Sequence, residues 1–315
     1  MIRAFHLVEG GLAEGAEGGA VWLDLVAPDD DERARVAERV GVAIPTRADQ
    51  EEIEQSSRLY MVEGVPVMTA LLPSGVEGLR ADLEPASFIL TADRLVTLRH
   101  HAPRPFETYP ARAAQATLDA RSAETVCLGL LEAIVDRLAD ETEHAGREID
   151  ALSRASFAPA PGARPDHQAT LRAIGRADGL VMQLRESLLT LERMLGFLLP
   201  VLEQHHSGRD LRGVARSFLR DVRTIAEQAG FLQQKTGMLL DATLGLINIE
   251  QAAIIKIFSV VAVIFLPPTL IASIYGMNFA VMPELGWRFG YPMALGLMVA
   301  SAVAALVIFR RKGWF

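Results

Sequence analysis

Two stretches without a charged residue, 257–275 and 290–309, dominate the pattern of apolar and polar positions along this 315-residue chain. They are 19 and 20 residues long, and a helix rising about 1.5 Å per residue crosses a hydrocarbon core of about 30 Å with that many. Both are predicted to be transmembrane helices, one over 257–279 and one over 290–309, joined by an extracytoplasmic loop over 280–289. The competing reading is a pair of buried helices in a soluble core, which this length disfavours.

Upstream the pattern changes twice. Over 1–110, short runs rich in apolar and β-branched residues predict strands at 2–8, 21–26, 65–72, 88–91 and 95–99, with Ala92-Asp93-Arg94 as a turn. Pro28-Asp29-Asp30-Asp31-Glu32 predicts a helix start, because an acidic first turn suits the positive end of the helix dipole. A metal could be imagined on that acidic run, but helix capping accounts for it. A second short helix is expected over 47–57. From 111 to 208 the period is helical and predicts a hairpin. Its first helix, 123–153, places Val126, Leu130, Ile134 and Leu138 on one face and Glu132, Asp136, Asp140, Glu141 and Glu143 on others. A Pro-rich breaker at 158–165 follows, then a helix over 167–199 stopped by Pro200. A third helix begins near Arg209 and meets no proline until Pro267. At about 1.5 Å per residue it is about 85 Å long, too long for a compact core, so 209–256 reads as a stalk leading into the first span. The fold class is an α+β domain followed by a long stalk helix and two C-terminal transmembrane helices.

Charge follows the same division. The first 250 residues hold 26 basic and 38 acidic groups, and the rest five basic and one acidic. Arg310-Arg311-Lys312 after the second span predicts a basic cytosolic tail, 310–315, by the positive-inside rule, and two spans then put both termini in the cytosol. No charged and apolar leader opens the chain, so the first 250 residues are expected to stay cytosolic beneath a multi-pass protein of the cytoplasmic (inner) membrane. The acidic balance excludes a nucleic-acid partner and suits a cation. Cys127 stands alone, which rules out an internal disulfide and a CxxC metal site. Adjacent residues point apart on a helix or strand, so His100-His101 and His205-His206 are expected to be surface histidines and not chelating pairs. With no Walker A, GxSxG or HExxH motif, neither an enzyme nor an organic cofactor is expected.

The candidate chemistry lies at the end of the first span. One pair of spans cannot enclose a polar path, so a pore needs several copies, each placing one helix around an axis. No Asp, Glu, Lys or Arg occurs from Ile257 to Asn278. A site that stripped a divalent ion of water would need carboxylates, because dehydration is costly. Asn278 can instead hydrogen-bond to an ion's water shell, with Ser273 and Thr269 continuing those contacts on one helical face. Leu266, Ala262 and Phe258 extend that face as apolar residues, able either to gate by dewetting or to pack helix on helix. Pro267-Pro268 removes two backbone donors in mid-span.

These residues closely resemble the CorA family of magnesium transporters. The resemblance runs through Asn248-Ile249-Glu250-Gln251, Ile254-Ile255-Lys256-Ile257-Phe258, Phe265-Leu266-Pro267-Pro268-Thr269, Tyr275-Gly276-Met277-Asn278-Phe279, Met282-Pro283-Glu284-Leu285 and Gly290-Tyr291-Pro292, ending before Gly313-Trp314-Phe315. Val21-Trp22-Leu23-Asp24-Leu25 is similar to the N-terminal domain of enterobacterial-type members. The resemblance implies a funnel-shaped homopentamer in the lipid bilayer that carries hydrated Mg²⁺, with Co²⁺ and Ni²⁺, past a selectivity mouth at Gly276, Met277 and Asn278. It implies a pore lined by Ile255, Phe258, Leu266, Thr269 and Ser273 and an extracytoplasmic loop containing Glu284. Ala252 departs from the Asn often found at the cytosolic end of the pore. Closure by cytosolic Mg²⁺ bound between neighbouring cytosolic domains is implied too, with Asp221 as the stalk carboxylate of the regulatory metal and Asp82, Glu84 or Asp93 on the α/β domain as its partner.

Two other readings stay open. One is a Zn²⁺ transporter of the related ZntB type, against which Met277 and Met-Pro-Glu-Leu weigh. The other is a membrane-anchored ion sensor that does not conduct, for which Pro-Pro and Asn278 would be gratuitous.

Overall fold

The computed structural model describes residues 1–9, 11–52, 54–75, 82–157, 166–204, 209–278 and 282–313. The chain divides into two units, Met1–Leu240 and Asp241–Phe315. The Pro-rich 158–165 segment, His205-His206, Phe279 and Trp314-Phe315 lie outside the described residues.

The first unit is built on a seven-stranded sheet in the order β2-β1-β3-β7-β6-β5-β4. β1 (Ile2–Val8) and β7 (Leu95–Arg99) have the predicted bounds, while β3 (Trp22–Val26), β5 (Val65–Ser74) and β6 (Asp82–Leu90) differ at their ends. Two edge strands were not expected, β2 (Gly11–Gly15) and β4 (Leu59–Val62). Neither has the alternation of a half-buried strand: Gly-Leu-Ala-Glu-Gly and Leu-Tyr-Met-Val form because β1 and β5 offer unpaired edges next door. Among the described strands only β3 and β7 pair in parallel.

The side-chain period of two sends successive residues to opposite faces. Trp22, Phe88, Met68 and Leu95 join one core, and Leu23, Leu25, Val67, Ile89, Val96 and Leu98 join the other. Both faces are therefore covered, which explains why these strands read as nearly continuous apolar runs. α1 (Asp30–Val40) covers the second face through Val36. Its start is a capping box: Glu32 N donates to Asp29 Oδ1 at 2.7 Å and Asp29 N to Glu32 Oε2 at 3.2 Å, so the acidic run caps the helix as expected. The helix expected over 47–57 is two pieces, α2 (Arg47–Glu51) and α3 (Gln55–Arg58), because Glu52 is extended (ψ 134°).

The first face is covered by α4 (Arg104–Arg112), α5 (Ala123–Phe157), α6 (His167–Gln204) and the first half of α7 (Arg209–Tyr275), from Ala215 to Leu232. α4 lay outside the predicted elements, since prolines at 105 and 110 mask its period, yet it buries Pro105, Phe106 and Tyr109. The expected stop at Pro200 is also corrected. α6 runs on to Gln204 because Val201 and Leu202 are buried, and that burial outweighs one lost hydrogen bond.

The second unit holds the rest of α7, a 3-10 turn (Pro283–Gly286) and α8 (Gly290–Arg311). Only 6% of the most apolar stretch of α7 is buried, and 17% of that in α8. A soluble core would bury these residues, so the two helices fit membrane spans by length, composition and exposure together.

Candidate functional site

At about 100° per residue, Ile255, Phe258, Ala262, Leu266, Thr269 and Ser273 fall on one stripe of α7 roughly 80° wide. All six are exposed, Phe258 by 70% and Leu266 by 65%. From Val260 to Tyr275 the residues that the unit covers are Val260, Ile264, Pro267, Pro268, Ile271 and Tyr275. These cluster in a sector roughly 100° wide on the opposite side of the helix. The five expected lining residues thus share one face, and it is the face most remote from what their own unit covers. Pro267 and Pro268 sit on the covered side.

Polarity rises along the stripe toward the end of the helix. Ile255, Phe258, Ala262 and Leu266 offer no hydrogen bond. Thr269 Oγ1 donates to Phe265 O at 2.7 Å, which commits the hydroxyl hydrogen and leaves oxygen lone pairs to meet a donor such as cation-bound water. Ser273 follows one turn on.

The helix stops at Tyr275. Gly276 N donates to Ala272 O at 3.0 Å and Met277 N to Ile274 O at 3.3 Å. A Cβ at position 276 would stand 3.2 Å from Ala272 O, so this close turn favours glycine. Met277 and Asn278 are exposed just beyond it. Gly276, Met277 and Asn278 therefore follow directly on the end of the helix that carries the stripe. Glu284 lies in the 3-10 turn, and its side chain is outside the described residues.

Asp221 lies on α7 in the first unit, exposed, beside the buried Val222. It lines a cavity of about 610 Å³ between α5 and α7 together with Glu132 and Asp136. Burial, and then the carboxylates of Glu132 and Asp140 with a contribution from Asp221, push the Asp136 pKa above the usual carboxylate range. Within the chain, Glu84 is 3.9 Å from Arg47, and Asp93 accepts from Thr91 and Arg94. Asp136, expected only on a polar face of its helix, shares this cavity with Asp221. The available signal was the i, i+4, i+8 spacing of Glu132, Asp136 and Asp140, which puts three carboxylates on one face of α5. Among the described residues no three His, Cys, Asp or Glu side chains are arranged to hold a metal.

One expectation is overturned. His101 is 8% exposed and not a surface residue, and burial next to the Arg99 cation pushes its pKa down to about 4. It lies two residues beyond the end of β7, whose five residues are all buried.

Comparison with known proteins adds the following. Residues 17–311 match the model of a family described as CorA-like Mg²⁺ transporter protein. The chain is 39% identical over 297 residues to the magnesium transport protein CorA of Salmonella typhimurium, covering 94% of this chain and 92% of that one. It is 38% identical over 296 residues to the magnesium transport protein CorA of Escherichia coli, with the same coverage. The structure of a CorA magnesium transporter from Methanocaldococcus jannaschii has the same fold, with a TM-score of 0.77 at 19% identity, over 100% of this chain and 98% of that one.

Proposed function

Because the chain belongs to the family of CorA-like Mg²⁺ transporter proteins, we propose that it carries Mg²⁺, with Co²⁺ and Ni²⁺ as further cargo, across the cytoplasmic (inner) membrane. It is a transporter and not an enzyme. The observation that carries the pore reading is the two-sidedness of α7, whose stripe from Ile255 to Ser273 is left uncovered opposite the covered Val260–Tyr275 side.

Five copies arranged with these stripes inward, in a funnel-shaped homopentamer, give a path with Asn278 at its mouth. The cation crosses in its water shell, since no carboxylate on the stripe competes for the ion. Asn278 carboxamides and the Thr269 and Ser273 oxygens hydrogen-bond to that shell. Leu266, Ala262 and Phe258 form an apolar constriction that dewets when narrow. The drive is electrical: a divalent ion crossing about 100 mV gains about 4.6 kcal/mol. Residues 1–110 form the cytosolic α/β domain, 111–208 the helical hairpin, 209–256 the stalk, 257–279 and 290–309 the spans, 280–289 the extracytoplasmic loop with Glu284, and 310–315 the cytosolic tail. Cytosolic Mg²⁺ at Asp221 acts as the regulatory ion and closes the path.

The test is reconstitution of the purified chain into liposomes, with lumenal Mg²⁺ and Zn²⁺ followed by selective dyes under an imposed proton gradient and without one. Mg²⁺ entry that ignores the proton gradient is expected. Zn²⁺ entry that tracks it would replace this reading with zinc transport, and no flux of either ion would make the protein a sensor.

A further inference from the structure

From the end of the 3-10 turn into the first turn of α8 the chain crowds three large aromatic residues into five positions, Trp287, Phe289 and Tyr291. They are exposed by 53%, 61% and 76%. The Trp287 and Phe289 rings meet edge to face, 6.2 Å apart at 71°, and Gly290 N donates to Trp287 O at 2.9 Å to hold the turn between them. Arg288, also exposed, separates the two rings in sequence. A cation in the outer loop of a cation transporter opposes the cargo unless its charge is engaged elsewhere.

The length of α8 fixes where this segment lies. Its charge-free part, 290–309, spans about 30 Å, the thickness of the hydrocarbon core. Arg310 and Arg311 close the helix at one boundary. Residues 287–291 then fall at the other boundary, in the headgroup layer, where amphipathic rings and a phosphate-pairing guanidinium are both at home. We propose that Trp287, Phe289 and Tyr291 form a lipid-facing collar at that boundary and that Arg288 binds a lipid phosphate, so that its charge is turned away from the ion path. This rests on the membrane reading of α8 and not on which ion is carried.

The experiment compares the fluorescence of the full-length protein and its Trp287→Phe variant in vesicles whose lipids are brominated either near the headgroup or near the end of the acyl chain. The difference between the two proteins reports Trp287 alone. The expected result is loss of that component with headgroup-proximal bromine and less loss with deep bromine. Absence of quenching by both lipids would show that water or a neighbouring copy covers the ring, and would overturn the collar. Arg288→Gln is expected to weaken the shallow quenching, while added inorganic phosphate leaves the unsubstituted protein unchanged. A response to free phosphate, or none to the substitution, would overturn the lipid-phosphate contact. Mg²⁺ entry into unbrominated vesicles of the same composition is measured alongside, so loss of transport and loss of the collar are read separately.

Discussion

Asp24 and Arg99 face one another inside the first unit, Arg99 Nη2 donating to Asp24 Oδ2 at 2.8 Å with neither side chain more than 3% exposed. Thr97 Oγ1 donates to Asp24 Oδ1 at 2.8 Å, and Trp22 Nε1 donates to Thr97 Oγ1 at 2.9 Å. Arg99 Nη1 donates to His101 O at 2.6 Å, and its guanidinium lies 5.0 Å from the centre of the Phe106 ring. These polar groups tie β3 to β7 across the parallel seam of the sheet, where Asp24 is registered against Thr97. Both carboxylate oxygens of Asp24 and all three guanidinium nitrogens of Arg99 are met, as a buried charge requires.

Removing one partner leaves the other charged and dry. Asp24→Ala or Arg99→Ala is expected to destabilise the first unit by about 3–5 kcal/mol in denaturant titrations. The double substitution Asp24→Leu, Arg99→Met removes both charges and is expected to recover much of that loss. Equal stability of wild type and Asp24→Ala would mean that the pair does not hold the seam.

His101 gives the first unit an acid limit. Its folded pKa is depressed to about 4 from the ordinary 6.5, so between those values the unfolded chain takes up a proton that the folded chain refuses. Stability is then lost as pH falls through that window, at up to about 1.4 kcal/mol per pH unit. His100, also lowered by burial, titrates nearby and needs its own control. The check is the pH dependence of unfolding free energy in His101→Gln and, separately, His100→Gln. A slope unchanged in His101→Gln would remove His101 as its source.

The elements that the sequence announces are those whose own pattern decides them. β1 and β7 alternate or run apolar over their whole length, and α7 keeps a helical period for 67 residues. β2 and β4 are decided by neighbours instead: glycines bound β2, and its pairing comes from β1. α4 and the end of α6 contain prolines that local rules read as breaks, and only burial of Phe106, Tyr109 and Leu202 overrides them. At the candidate site the stripe from Ile255 to Ser273 is legible because helical spacing is a one-dimensional rule. The neighbour of Asp221 is not. Glu132, Asp136 and Asp140 look alike in sequence, and the choice among carboxylates depends on how α5 packs beside α7.

The proposed role of Asp221 in closing the path is open to a direct test. If cytosolic Mg²⁺ closes the path by engaging this carboxylate, Asp221→Ala is expected to raise the Mg²⁺ concentration needed for half-closure. Asp136→Asn, across the same cavity, is expected to move it in the same direction by a smaller amount. Dye-loaded liposomes with Mg²⁺ fixed on the face that carries the first unit give the measurement. Half-closure at an unchanged concentration in Asp221→Ala would place the sensor elsewhere.

Asn278 bears the sharpest expectation. It stands exposed past a turn that favours glycine at 276, at the polar end of the stripe, and its carboxamide can donate and accept toward an ion's water shell. A net hydrogen bond contributes about 0.5–1.5 kcal/mol, so the ring of five in the proposed pentamer would contribute about 2.5–7.5 kcal/mol to holding the hydrated ion. Asn278→Ala is expected to cut Mg²⁺ flux by roughly a hundredfold or more, while the oligomer keeps its size in detergent. Asn278→Gln keeps the amide but moves it outward by one methylene, and is expected to retain part of the flux with altered preference among Mg²⁺, Co²⁺ and Ni²⁺. Leu266→Ala acts on the opposite property, widening the apolar stretch, and is expected to leak ions when high Mg²⁺ should close the path. Normal Mg²⁺ entry in Asn278→Ala, with the assembly intact, would take selection away from the mouth and leave the Thr269 and Ser273 oxygens to perform it.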